Sequence, residues 1–305
     1  MIERLEKLPP LTQRVLTALV GMPILVALCL WGARPFVIFT VVLALIGRTE
    51  LQRAYAQCGI RPNALLSLLG ALVPGAVLLL RPPLGGGMPA APLSLLLILA
   101  CGLVIASLLE TGVASHPKEE IHTGRNLAYG LLSGAYVALF GGIALLRLTL
   151  WHGPKGLWPS LDGGAALVLL TAACTIAGDS GAYFVGRWLG HHKLAEGLSP
   201  KKTTEGLIGG MVASLLIGSG LGQLLLGSPI FGLIVGALAG ILGPLGDLFK
   251  SALKREIGIK DFGALLPGHG GILDRFDSLL FTAPIVALVA TDLVHEKLPG
   301  VLRRR

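Results

Sequence analysis

Leu245 to Ser278 reads LGDLFKSALKREIGIKDFGALLPGHGGILDRFDS, a run of acids, bases and glycines in a chain that is otherwise strongly apolar. Ionisable groups at or beside membrane depth are costly to keep, so they mark a site. Asp274 and Asp277 stand three residues apart, and on a helix starting near Ile272 they share one face. Asp247, at the end of the preceding apolar run, can meet them there. Carboxylate oxygens are hard ligands suited to Mg²⁺. Such an ion can offset charge on phosphate oxygens before an anion attacks phosphorus. The competing reading of Asp274, Arg275 and Asp277 is an internal salt-bridge network.

From Ser251 onward the bases are Lys254, Arg255, Lys260 and Arg275. Arginine grips phosphate oxygens in a forked geometry, and lysine acts as a compact charge. Asp261 can orient Lys260 or fix a ribose. Ser251 either donates to a phosphate or merely tops a span. Pro267 to Gly271 forms a turn that admits positive φ, and the bare amides at Gly270 and Gly271 can nest an anion. Glycine turns are common, so this signal is weak by itself. His269 is read as a hydrogen-bond donor to phosphate or an orienter of an acid.

A second cluster, Gly178 to Gly210, reads GDSGAYFVGRWLGHHKLAEGLSPKKTTEGLIGG. Ser199 and Pro200 make a turn, and proline suits the first position of a helix. Lys201, Lys202 and the amides of Thr203 and Thr204 are then expected at a positive helix end, an anion site for phosphates. The plain alternative is a basic anchor loop against lipid headgroups. Asp179 lies within an apolar run and needs a basic partner, either in the site or as structural glue. Arg187 follows it two turns on.

Taken together, the blocks resemble the signature of phosphatidate cytidylyltransferases, the CDP-diacylglycerol synthases. The family carries S-x-x-K-R-x-x-x-x-K-D-x-G-x-x-x-P-G-H-G-G-x-x-D-R-x-D, matched here from Ser251 to Asp277. It also carries D-x-x-A-Y-x-x-G-R-x-x-G followed by S-P-K-K-T-x-E-G, matched by Asp179, Ala182, Tyr183, Gly186, Arg187 and Gly190, then by Ser199 to Gly206. The likeness is strong over residues 130–280; earlier, only hydropathy and length agree. The resemblance implies transfer from CTP to phosphatidic acid with release of pyrophosphate, and a divalent metal, Mg²⁺, in a shell of Asp247, Asp274 and Asp277. A second cation and a homodimer belong to the same expectation; a nucleic-acid partner does not.

The elements that must position these residues are membrane helices. Of the 305 residues, 53% are hydrophobic and only 14% charged, against roughly 25% charged in soluble domains. The 43 glycines suit close helix packing. A crossing helix needs about 20 apolar residues, which predicts an all-α, polytopic integral membrane protein of about nine transmembrane helices. The candidates are 14–31, 36–56, 64–80, 91–111, 127–148, 163–186, 206–226, 229–250 and 279–295. The second is weak, since Arg48, Glu50 and Arg53 follow its apolar part. The first is read as a retained anchor.

With the N-terminus inside, the inner segments hold most of the bases, whereas the outer loops hold only Arg34, Arg81, Arg147 and Lys155. The C-terminal Lys297, Arg303, Arg304 and Arg305 depart from this pattern. The expectation is one domain, with residues 1–160 mainly scaffold, 161–280 carrying the motifs and 279–305 the last helix and tail. It lies in a bacterial inner membrane with the site facing the cytoplasm. Cys29, Cys58, Cys101 and Cys174 stand singly and read as small hydrophobes.

Three rival readings have distinct signatures. A CTP-dependent polyprenol or phytol kinase would release CDP. A transporter would need paired, broken helices in matching halves, which the lopsided polar distribution does not suggest. A structural scaffold leaves the buried acids without a purpose.

Overall fold

The computed structural model describes residues 10–80, 123–149, 155–263 and 270–297. The candidate span 91–111, His269 and Cys101 lie outside the described residues. The helices in chain order are α1 (Pro10–Trp31), α2 (Ala33–Gln57), α3 (Ala64–Leu80), α4 (Thr123–Ala138), α5 (Phe140–Leu148), α6 (Gly163–Leu189), α7 (Thr204–Leu226), α8 (Pro229–Glu256) and α9 (Leu273–Lys297). A short hairpin, β1 (Lys193–Ala195) and β2 (Ser199–Thr203), joins α6 to α7. Among the described residues, five stretches are long and apolar enough to cross a bilayer: Ala33–Gln57, Gly124–Leu148, Gly163–Leu189, Thr204–Leu226 and Pro229–Glu256. The chain is a polytopic, predominantly helical membrane protein.

Two compact units are present: Met1–Phe36 with Gly142–Arg305, and Val37–Gly141. In the second unit, α3 and α4 meet through Gly70 and Gly134, which face each other backbone to backbone. The weak second candidate is one continuous helix, and it keeps its polar end because α3 supplies partners. Arg48 donates to the Ser67 hydroxyl and the Ala64 carbonyl, both at 3.1 Å, and Gln52 also donates to Ser67, at 3.0 Å.

The first unit carries the motifs. Asp162 caps α6 by accepting from the Ala165 amide at 2.9 Å. The same carboxylate takes a forked pair from Arg147, at 2.9 and 2.6 Å, while the Arg147 Nε donates to the Cys29 carbonyl at 2.9 Å. One buried guanidinium thus ties α1, α5 and the start of α6. Thr203, Ser228 and Pro229 open α7 and α8, as hydroxyl caps and an N1 proline should. Gly227 closes α7 in the left-handed region, with φ 62°.

Small residues set the spacing of the motif helices. Gly178, Gly181 and Ala182 of α6 lie against Gly206, Gly209 and Gly210 of α7. Gly218 and Gly222 of α7 lie against Gly232 and Gly236 of α8. A Cβ at Gly210 would stand 2.6 Å from the Gly178 carbonyl oxygen, so no larger residue fits that contact.

Candidate functional site

Four helix ends meet on one side of the first unit: the last turns of α6 and α8 and the first turns of α7 and α9. Gly246 allows the last of these approaches. A side chain there would run into the Asp277 carbonyl oxygen and the Phe281 ring. With only hydrogen at that point, α8 and α9 close up, and their charged residues face each other in rungs.

Lys250 and Lys254 lie one turn apart on α8, and Asp277 and Asp274 lie one turn apart on the antiparallel α9. The Lys250 ammonium stands 2.6 Å from Asp277 Oδ2 and 2.7 Å from Asp247 Oδ1, and also donates to the Asp274 carbonyl at 3.4 Å. Lys254 pairs with Asp274 at 2.8 Å and lies 3.8 Å from Asp261. Lys202, arriving from β2, pairs with the other Asp247 oxygen at 2.5 Å. Asp179 lies beside Ser278 and within electrostatic range of Asp247, Lys202 and Lys250. Asp274 and Asp277 are almost fully buried, at 7% and 6% exposure, so lysine partners are what keeps their charge tolerable there.

The expected convergence of three aspartates is therefore not what this arrangement presents. Among the described residues, no three acidic, histidine or cysteine side chains form a group placed to hold a metal. Asp247 and Asp277 do share one point, now held by an ammonium. Asp274 is turned to other work. Its Oδ2 accepts from the Phe262 amide at 3.0 Å and the Gly271 amide at 3.1 Å, while Oδ1 faces Lys254. The cause is the rung spacing: residues one helical turn apart have Cβ atoms about 5–6 Å apart, and each meets a different lysine. Gly270, at φ 82°, keeps its bare Cα beside the same carboxylate, so the described part of the glycine turn wraps an acid.

The Ser199–Thr203 segment also differs from expectation. Pro200 does not start a helix: the segment is a strand, paired antiparallel with β1 in the register Lys193 to Thr203 and Ala195 to Ser199. The α7 end is closed internally. Thr203 Oγ1 accepts from the Gly206 amide at 3.1 Å, and the Thr204 amide donates to the His192 carbonyl at 3.0 Å. Glu205 accepts from the His191 amide at 3.1 Å and lies 2.6 Å from His192 Nδ1. Lys201 and Lys202 thus reach the site from a hairpin, and the helix end they were expected to join is already satisfied.

A cavity of about 590 Å³ opens between these elements. Of the residues singled out in the sequence, it is lined by Asp179, Arg187, Lys201, Lys202, Thr203, Asp247, Asp274, Arg275 and Asp277. Lys254 stands behind it, holding Asp274. Ser199, Ser251, Arg255, Lys260, Asp261, Gly270 and Gly271 are not in its lining; Arg255, Lys260 and Asp261 are exposed. The lining takes in Tyr183 of the matched motif and adds Ser278 and, above all, Lys250, which sequence reasoning did not single out. Its signal was available: it follows Asp247 by three residues, so the two share a helix face. Tyr183 receives a hydrogen bond from Arg187 at 2.9 Å, and with Phe184 and Trp188 it forms an exposed aromatic run, with ring centroids 5.4 and 5.7 Å apart.

A polytopic membrane protein with a basic, aspartate-floored cavity at one end of its helices has the means to hold phosphates beside a bilayer. The comparisons give that class a family. The chain belongs to the cytidylyltransferase family, whose model matches residues 12–292. It is 34% identical to the phosphatidate cytidylyltransferase of Synechocystis sp., over 90% of this chain and 94% of that one. It is 31% identical to the phosphatidate cytidylyltransferase of Staphylococcus haemolyticus, over 92% of this chain and 99% of that one. It is 30% identical to that of Staphylococcus saprophyticus, over 92% and 99%. Family membership makes the chain a nucleotidyltransferase.

Proposed function

We propose that the chain is a phosphatidate cytidylyltransferase, converting CTP and phosphatidate to CDP-diacylglycerol and pyrophosphate. The observation that carries this is the cavity lined by Arg187, Lys201, Lys202, Lys250 and Arg275, in a chain that matches relatives of that name nearly end to end. A phosphate oxygen of phosphatidate attacks the α-phosphorus of CTP, the bond from that phosphorus to the α,β-bridging oxygen breaks, and pyrophosphate departs. The lipid phosphate is already ionised at neutral pH, so no general base is required. The bases bind and orient both anions and offset the charge that grows on the transferring phosphoryl oxygens. Positioning and electrostatics of this kind supply most of the acceleration.

Asp247 and Asp277 fit a divalent cation, because one point already lies within 2.7 Å of an oxygen of each. Mg²⁺ is characteristically held by one or two carboxylates together with substrate phosphates. When bound it would neutralise phosphate oxygens of the nucleotide. Asp274 has a supporting role in this reading, fixing Lys254 and the backbone at Phe262 and Gly271. The aromatic run Tyr183, Phe184 and Trp188 is of the type that sits at a bilayer interface, which suits lateral entry of phosphatidate. The excess of basic residues in the segments read as inner supports a cavity that faces the cytoplasm from a bacterial inner membrane.

The test is transfer of label from CTP to phosphatidate in the purified protein, with and without Mg²⁺, followed by lipid extraction. Label from [α-³²P]CTP should enter the lipid phase, with one pyrophosphate released per lipid. Label from [γ-³²P]CTP in the lipid, with CDP as co-product, would instead establish a lipid kinase. No consumption of CTP in the presence of phosphatidate would end the enzymatic reading.

A further inference from the structure

Lys250 has no phosphate-binding geometry in this structure. Its ammonium is spent on the protein's own oxygens: Asp277 at 2.6 Å, Asp247 at 2.7 Å and the Asp274 carbonyl at 3.4 Å. An ammonium has three protons to give, and three acceptors surround it. Its side chain is 12% exposed, so the charge is held in place by the pair and not by water. We propose that Lys250 is an intramolecular counter-cation that holds the position of the divalent ion and must leave it for the ion to bind. The proposal rests on the assignment of Asp247 and Asp277 as the metal-holding pair.

Two cations cannot share that position. The carboxylates lie on different helices, α8 and α9, and without a cation between them they would repel at close range. The lysine relieves that repulsion in the metal-free protein. Asp179, within electrostatic range of it, and Lys202, which shares Asp247 with it, also belong to the cavity. Once displaced, the ammonium is on a flexible four-carbon arm that lines the same cavity. A nucleotide triphosphate arriving there gives it new acceptors. Metal and nucleotide are then linked: each makes room for the other, and the ion alone binds weakly because it must evict a charge. Coupling of this kind is reciprocal.

The test uses the full chain, stripped with EDTA and titrated with Mn²⁺, with free Mn²⁺ followed by electron paramagnetic resonance. Lys250→Met and Lys250→Gln should bind Mn²⁺ roughly tenfold tighter or more, since a unit charge is removed from the contact shell of the ion. Lys250→Arg should bind as weakly as the unaltered protein. In EDTA the two neutral variants should melt lower than the unaltered protein and recover when Mn²⁺ is added, a recovery that a merely structural lysine would not give. Affinity in Lys250→Met and Lys250→Gln equal to or weaker than that of the unaltered protein overturns the proposal. Failure of both neutral variants to fold with Mn²⁺ present overturns it too, because the ion would then be unable to stand where the ammonium does. Adding Asp277→Asn separates the two layers of reasoning. If uptake in every background is indifferent to Asp277→Asn, the metal assignment falls and Lys250's role with it. If uptake depends on Asp277 but not on Lys250, only the counter-cation role falls.

Discussion

Asp274→Asn distinguishes a carboxylate that binds the ion from one that holds the protein together. The carboxylate is 7% exposed and makes three contacts: Lys254 at 2.8 Å, the Phe262 amide at 3.0 Å and the Gly271 amide at 3.1 Å. Asparagine offers one acceptor oxygen. If that oxygen keeps the two amides, its NH₂ faces the Lys254 ammonium, and donor meets donor. If it turns to Lys254, two buried amides lose their acceptor. Charge-assisted bonds contribute about 1.5–3 kcal/mol each, and breaking a buried ion pair from one side costs about 3–5 kcal/mol. Lys254 retains Asp261 at 3.8 Å, which softens the loss. The expected net cost is about 2–4 kcal/mol, or roughly 5–10 °C in the apparent melting midpoint of the detergent-solubilised protein. Hydrogen exchange at the Phe262 and Gly271 amides should quicken in parallel, and pyrophosphate release should fall with it. An Asp274→Asn protein that melts and exchanges at the Phe262 and Gly271 amides like the unaltered one, yet releases no pyrophosphate, would refute this reasoning and return Asp274 to the metal shell.

Gly246→Val should force α8 from α9, because its side chain would meet the Asp277 carbonyl; a cost of about 1–3 kcal/mol is expected, with roughly hundredfold slower CTP turnover from misplaced carboxylates. Lys202→Met removes the hairpin's ion pair with Asp247 and should lower kcat/KM for CTP-dependent transfer roughly tenfold to a hundredfold, with a far-ultraviolet circular dichroism spectrum unchanged. Asp162→Ala strands the buried Arg147 guanidinium and uncaps α6, so thermal stability should drop by about 3 kcal/mol or more. Asp162 and Asp179 are separated along α6 by about 25 Å at 1.5 Å per residue, so turnover per folded molecule should be unaffected, as counted by active-protein titration.

The stretches Gly124–Leu148, Gly163–Leu189, Thr204–Leu226 and Pro229–Glu256 were legible because each is a largely apolar run of bilayer length. The residues of the cavity were legible as a set, since acids and bases in such a chain have few other uses. Their pairing was not. Spacing told that Asp274 and Asp277 share a face, but it could not tell that α8 presents a lysine to each. That depends on the register between two helices, which Gly246 sets by an absence of side chain. The hairpin escaped for a different reason. Pro200 is as compatible with a strand edge as with a helix start, and the partner that decides the matter, Lys193–Ala195, has no strand-like composition of its own. The apolar reading of the cysteines holds for Cys29 and Cys174, which are buried, while Cys58 is exposed.

Where α6, α7 and α8 touch through bare glycine backbones, no cushion of side chains separates them. A bundle joined in that way has little freedom to slide or tilt when a substrate arrives. The adaptable parts are the long lysine arms that hang from it, and in the resting protein Lys202, Lys250 and Lys254 are each tied to an aspartate. Substrate selection then becomes an exchange of partners on a rigid frame: a ligand is accepted when its own oxygens can take over cations that the protein holds in reserve.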